Sequence, residues 1–304
     1  MTDSDTTWDV AVVGAGIAGL TAARTAAEHG LRVVAFDMLA PGGQLINLGE
    51  VTGYPGLPGK TGGPDLAGTL LEEAMAAGVE ISYAEVTGLA AGPPVTVDSL
   101  DGPVTAGAVV VTTGLAPGRL GVPGEDDWAG RGLSECASCD GPLFAGQRVA
   151  VVGDDGWAAQ EAAELAAVAG HVTVLAPGAP RWSARAADRL SGLGVEVREG
   201  AVVAGLGGDT ALTGVLLADD GEVPATGVFA ATGRAPRSAF LDGVVGRDPD
   251  GRVTGDPATG VPGVFAAGDV RAGSVDHLVA AAADGLRAGL AAVAHLHSPS
   301  SPSS

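Results

Sequence analysis

The chain has 304 residues, 46% of them hydrophobic and 50 of them glycine, which suits one large or two ordinary globular domains rich in tight turns. Its formal charge is -20 and Lys60 is its only lysine, so nucleic-acid phosphates and anionic lipid surfaces are repelled and are excluded as partners. The N-terminal MTDSDTTWDV has no basic region ahead of an apolar run, and no later stretch holds 18 uninterrupted apolar residues, so neither a leader nor a membrane span is expected and the protein is expected to be cytoplasmic.

The segment WDVAVVGAGIAGLTAARTAAEHGLRVVAFD predicts a strand, a turn, a helix and a second strand. The apolar run Val10 to Val13 stops at Gly14-Ala15-Gly16-Ile17-Ala18-Gly19, and the second run, Leu31 to Phe36, ends in Asp37. Each glycine has a task in a dinucleotide site. Gly14 makes the tight turn, Gly16 lets backbone approach a pyrophosphate, and Gly19 lets helix pack on strand, with the helix N-terminus facing the phosphates. Asp37, about twenty residues on, is placed to accept ribose hydroxyls.

Four later segments narrow the class: PGGQLINLGEVTGYPG (41–56), VVVTTG (109–114), SECASCDG (134–141) and GVFAAGDV (263–270). Together with the first fingerprint they resemble, in order and spacing and over nearly the whole chain, the low-molecular-weight thioredoxin reductase family of FAD-dependent pyridine nucleotide-disulfide oxidoreductases. The resemblance implies an α/β fold of two Rossmann-like, three-layer nucleotide-binding domains, the second inserted into the first. It implies FAD as cofactor, with Gly42, Gly43, Gln44, Leu45 and Asn47 along it, Val86 beside it, and Thr113 and Gly114 closing the first passage of the domain. Gly268 and Asp269 are then expected to hold the ribityl and pyrophosphate portion, and His277 and Leu278 to lie by the flavin ring. His277 stands where the family usually has glutamine, and could take a proton from a thiol, stabilise reduced flavin, or only hydrogen-bond the ring. A homodimer is also implied.

The expected layout is an FAD domain of residues 1–114 plus 244–297, an inserted domain of residues 115–243 carrying the cysteines, and a disordered tail at 298–304, where serine and proline bury nothing. The segment GLAPGRLGVPGEDDWAGRG, residues 114 to 132, is the first crossing. A second strand-turn-helix, RVAVVGDDGWAAQEAAELAAVAGHVTVLAPG, opens the inserted core and makes the chain's internal repeat.

That second fingerprint is altered. It reads Gly153-Asp154-Asp155-Gly156-Trp157-Ala158, with Asp155 where glycine should let backbone touch a pyrophosphate. Asp154 or Asp155 is expected to cap the helix itself and take the N–H groups that a phosphate would use. Downstream, Ala176-Pro177-Gly178 stands where the family places a histidine and two arginines for a 2′-phosphate. Neutral residues cannot pair with that phosphate, although Arg181 and Arg185 lie nearby and could partly substitute. The inserted domain is therefore expected to keep its fold without binding NADPH.

Cys136 and Cys139 are the chain's two cysteines. A structural zinc needs about four ligands, and one pair cannot close the site; no metal is expected. A crosslink across so short a loop removes little unfolded-state entropy, so redox chemistry is the expected role. The resemblance implies that Cys139 faces the flavin and Cys136 the substrate, with Asp140 placed to move protons, unless Asp140 only caps a helix. His29 and His171 are expected to be unremarkable residues at element ends.

Without NADPH the reductase's electron path has no source, whereas the reverse path, from a small-molecule dithiol through the cysteines and FAD to O2, yielding H2O2, needs no nicotinamide. In this respect the chain is similar to the FAD-dependent dithiol oxidases that close disulfides in sulfur-containing natural products of the gliotoxin and holomycin type. Three alternatives stay open at this point: an NADPH-dependent thioredoxin-disulfide reductase, a flavin reductase fed by a protein donor such as ferredoxin, and a noncatalytic flavin-bound redox sensor.

Overall fold

The computed structural model describes residues 7–51, 54–57 and 59–298. The expected tail lies outside them apart from Ser298. In chain order the elements are β1 (Thr7–Val13), α1 (Ile17–Glu28), β2 (Val33–Phe36), α2 (Gly63–Ala76), β3 (Glu80–Ser82), β4 (Val86–Ala90), β5 (Val95–Ser99), β6 (Val104–Val111) and β7 (Leu115–Pro117). Then follow β8 (Leu133–Ser134), α3 (Ala137–Asp140), β9 (Arg148–Val152), α4 (Gly156–Leu165), β10 (His171–Ala176), α5 (Ala184–Gly192), β11 (Glu196–Glu199) and β12 (Val203–Gly208). The chain closes with β13 (Leu212–Leu217), β14 (Glu222–Pro224), β15 (Gly227–Ala230), β16 (Arg234–Pro236), β17 (Val264–Ala266) and α6 (Leu278–His297).

Two compact units result, Met1–Ala116 with Pro236–Ser304, and Pro117–Ala235 between them. The second crossing thus falls at residue 236, ahead of the expected 244. Residues 236–243 go with the first unit because Arg237 donates its backbone N–H to Gly114 at 3.0 Å and Leu241 is fully buried in that unit's core.

In the first unit the strand order is β3-β2-β1-β6-β5-β4, with β17 also paired to β6. β1, β2, β3, β6 and β17 run parallel, and β4 and β5 add an antiparallel extension. The near-continuous apolar run of β1 follows from burial on both faces. Val10 and Val12 join the core under α1, α2 and α6, while Ala11 and Val13 join the core on the opposite face, the period-two alternation of a strand; Trp8, near the start of β1, falls outside that alternation and joins the second core.

α6 is long and apolar enough, by length and composition, to cross a membrane. Its packing accounts for that character: it lies along α1 with its glycines against the backbone. A Cβ on Gly285 would stand 2.2 Å from the Ala18 carbonyl oxygen, and one on Gly289 2.8 Å from that of Ala22. Two backbones this close need glycine at the crossing.

The second unit repeats the plan on a smaller scale, with sheet order β11-β10-β9-β15-β8, all parallel, and a separate antiparallel sheet β12-β13-β14. Along β9, Val149 and Val151 face the core under α4 and α5, and Ala150 and Val152 face the core shared with β12 to β14. The crossing strands β7 and β16 pair with each other as a two-stranded ribbon.

Candidate active site

The first unit builds a cradle from turns at the strand ends, where open α/β sheets place their ligands. Gly14 has φ +99°, and a Cβ there would meet the Thr112 carbonyl oxygen at 2.6 Å. Gly19 is equally tight, 1.9 Å from the Gly14 oxygen by the same measure. Gly16 is extended, precedes Ile17 at the start of α1, and bridges to Gly42, whose N–H reaches the Ala15 oxygen at 2.8 Å. Gly43, at φ +54°, brings its backbone so near that a Cβ would lie 3.0 Å from Gly16 Cα.

Asp37 stands at the end of β2, accepting from Ala15 N–H at 3.0 Å and from Leu39 N–H at 3.1 Å. A carboxylate with about four lone-pair sites keeps capacity for ribose hydroxyls. Gln44 donates to the Leu115 oxygen at 3.3 Å, Leu45 is buried in the core, and Asn47 ends the same short turn. Thr113 donates its hydroxyl to the Arg237 oxygen at 2.6 Å, and Gly114 turns the chain at φ +62°.

Gly268 closes the cradle from the far end of the sequence. Its φ is +72°, and a Cβ would meet that of Ala18 at 2.9 Å. Asp269 follows in the same turn, its carbonyl accepting from Arg252 at 2.6 Å. Val86 begins β4, buried in the core on the face opposite α1; among the described contacts it joins none of these turns. His277 is exposed and is the N-cap of α6, its Nδ1 accepting from Val279 N–H at 3.2 Å, so the ring's proton is carried on Nε2 in the neutral form. Leu278 is the first residue of that helix.

The second unit carries the cysteines. Cys136 and Cys139 are disulfide-bonded with Cα atoms 5.4 Å apart. Cys136 is the N-cap of α3, its sulfur accepting from Cys139 N–H at 3.2 Å; Cys136 is half-buried and Cys139 exposed. Asp140 makes no cap of its own for the following turn. Its carboxylate instead accepts from the Ser134 hydroxyl at 2.7 Å, and the same hydroxyl accepts from Cys136 N–H at 3.1 Å.

Ser134 joins the site unannounced by any motif. Its signal was a hydroxyl two residues before the first cysteine, close enough to reach both backbone and acid. Ser134 is buried, so its bonds are not exchanged with water. Ser134→Ala should slow thiol exchange at the pair about tenfold by releasing the Asp140 carboxylate, a hydrogen bond to an ionised group being worth about 1.5–3 kcal/mol. Ser134→Thr, which keeps the hydroxyl, should restore most of the rate; stopped-flow exchange with a small dithiol reads both.

The fingerprint of the second unit differs from the first at one decisive place. Gly153 repeats Gly14, since a Cβ there would stand 2.1 Å from the Ala231 oxygen. Gly16, however, has no side chain to cap α1, whereas Asp155 caps α4: its Oδ1 accepts from Trp157 N–H at 3.0 Å and Ala158 N–H at 3.1 Å. Asp154 is occupied too, bound through Oδ1 to Arg181 Nη2 at 2.6 Å and Nε at 3.1 Å, while Arg181 N–H donates to the Asp154 carbonyl at 2.6 Å. Arg185 is exposed on α5. Arg234 lies over the Trp157 ring, 5.6 Å from its centroid. Among the described residues no cluster of three or more histidine, cysteine, aspartate or glutamate side chains is arranged to hold a metal ion.

Residues 8–285 match the family model described as pyridine nucleotide-disulphide oxidoreductase, and the chain belongs to that family. Within it, the chain is 33% identical over 302 residues to the thioredoxin reductase of Treponema pallidum, covering 96% of this chain and 98% of that protein. The crystal structure of thioredoxin reductase from Lactococcus lactis superposes with a TM-score of 0.89 at 28% identity, over 95% of this chain and 99% of that one. The crystal structure of HlmI matches with a TM-score of 0.60 at 30% identity, over 95% and 92% of the two chains. The fold is thus the α/β fold of the thioredoxin reductases, and the protein is an oxidoreductase of that type.

Proposed function

We propose that this protein is an FAD-dependent dithiol oxidase, which closes a disulfide in a small sulfur-containing metabolite with O2 as acceptor and H2O2 as product. The observation that carries this is Asp155. It supplies from within the chain the acceptor that a nicotinamide dinucleotide's pyrophosphate would bring to the first turn of α4. Arg181, the nearest cation for a 2′-phosphate, is drawn to Asp154.

FAD fits the first unit's cradle: Gly14, Gly42, Gly43 and Gly268 stand too close to their neighbours for side chains, Gly16 leaves the start of α1 without one, and Asp37 keeps acceptor capacity. When bound, FAD accepts the electron pair from the cysteine dithiol and passes it to O2. The protein's own steps are thiol exchange. One substrate thiolate attacks Cys136 Sγ, forming a mixed disulfide and releasing Cys139 as thiolate; the second substrate thiolate then attacks the substrate sulfur, closing its disulfide and releasing Cys136. Two electrons leave the substrate and two thiols are left on the enzyme. Asp140, oriented by Ser134, exchanges protons with the sulfurs, and His277 does so near the flavin through Nε2.

The second reading is an NADPH-dependent thioredoxin-disulfide reductase, favoured by the names of the relatives. Anaerobic mixing of the flavin-loaded protein separates the two. Bleaching by a small dithiol alone, with peroxide on admitting air, is the expected result; bleaching by micromolar NADPH would reject the oxidase. A homodimer and a cytoplasmic location belong to the same proposal.

A further inference from the structure

One buried acid is used by none of these steps. Glu161 is 1% exposed in the middle of α4, among Ala158, Ala159, Ala162, Ala163 and Leu165. Its Oε2 accepts from Ala137 N–H at 2.6 Å, the backbone between the two cysteines, and its Oε1 is buried with no hydrogen-bond partner. A carboxyl in an alanine-lined core costs several kcal/mol unless it is paired or protonated, so an apolar side chain would suit the helix better. Burial pushes its pKa up to about 7, opposed by the bond from Ala137 and reinforced by Glu164 one turn on.

We propose that Glu161 is a positioning residue for the redox pair, holding the Cys136–Cys139 turn from below in the arrangement that joins the sulfurs. Three observations meet on this turn. Cys139 N–H and Cys136 Sγ are tied to each other, Cys136 N–H is tied to Ser134, and Ala137 N–H is tied to Glu161. The first of these depends on the sulfur it helps to place. The Ser134 bond is shared with Asp140. The Glu161 bond runs from the turn to the buried face of α4, and it is charge-assisted whenever the carboxyl is ionised. It thereby raises the effective concentration of one thiol at the other and favours the disulfide. The charged neighbour of the carboxyl is Glu164 on the same helix, itself facing Arg189 of α5.

This inference rests on the cysteines being redox-active, and it holds whichever way the electrons run. The test equilibrates the full-length, flavin-loaded protein anaerobically with mixtures of reduced and oxidised dithiothreitol, and counts free thiols by alkylation and mass. The parent must first titrate reversibly; if its cysteines do not respond at all, it is the redox role of the pair that fails, and not the part given to Glu161. Glu161→Ala should shift the equilibrium about tenfold toward the dithiol, and Glu161→Gln, which keeps an acceptor for Ala137, should stay within about twofold of the parent. Glu161→Met fills the volume without an acceptor, and should shift like the alanine variant even if the latter folds poorly. Equal values for Met, Gln and parent would overturn the proposal. An equal shift in Gln and Met would overturn it too, since charge rather than the hydrogen bond would then govern the pair.

Discussion

Cys136→Ser should lower dithiol-dependent turnover by at least about a thousandfold while leaving the fold and flavin content unchanged. The expected loss is large because the substrate's first step is attack on Cys136 Sγ, and Cys139, the one cysteine then left in the chain, has no disulfide partner to be displaced from. Cys139→Ser should be equally inactive for a different reason. It keeps the attacked sulfur and loses the one that passes electrons onward, so with glutathione disulfide it should accumulate a stable mixed disulfide at Cys136. Mass spectrometry of the intact variants reads the adduct, and peroxide production reads turnover. The exposures make this a real test, because Cys139 is exposed and Cys136 half-buried in the structure. If Cys136→Ser formed its adduct faster than Cys139→Ser, the two roles would be exchanged. If either variant kept full turnover, the pair would not be the route of the electrons.

How much of this was legible beforehand depends on whether the responsible force is local in the sequence. Strand β1, the glycine turn and α1 could be read because apolar runs of both-face burial, a Gly-x-Gly-x-x-Gly turn and a helical stretch follow one another without interruption. The cap at Asp155 was foreseen only as one of two adjacent acids. Extended backbone at Asp155 decides between them, since an N-cap side chain must precede the helix directly, and Asp154 is left to turn toward Arg181. Glu161 was invisible for the opposite reason. Its partner is a backbone N–H twenty-four residues away, and an acid within an alanine-rich helix looks like a solvated face until packing shows that face to be the core. At Asp140 the sequence allows either a helix cap or a proton carrier; the structure removes the cap, because its carboxylate is held by Ser134. The second crossing was misplaced by several residues since proline and glycine mark turns without marking which core the next residues join.

Replacing both acids of the second fingerprint, Asp154→Gly with Asp155→Gly, should raise affinity for NADPH by up to about a thousandfold. Two like charges about 4 Å apart repel by about 4 kcal/mol at an effective dielectric near 20, and about 1.4 kcal/mol is a tenfold change in affinity. Asp155→Gly removes the internal acceptor and returns Trp157 N–H and Ala158 N–H to an incoming pyrophosphate. Asp154→Gly releases Arg181 to meet a 2′-phosphate, a role it cannot take while bound through both Nε and Nη2. The folding cost is small, because glycine replaces an N-cap acid at only a few tenths of a kcal/mol. Quenching of tryptophan fluorescence, with Trp157 at the site, follows the titration in parent and variant. Asp155→Gly alone should deliver most of the gain, as its carboxylate stands at the helix start, and NADH should gain from it as much as NADPH. The Asp154 substitution should then separate the two nucleotides in favour of NADPH. An unchanged affinity in the double variant would show that these carboxylates are not what keeps the nucleotide out, and a parent already binding NADPH at micromolar levels would return the protein to the reductases.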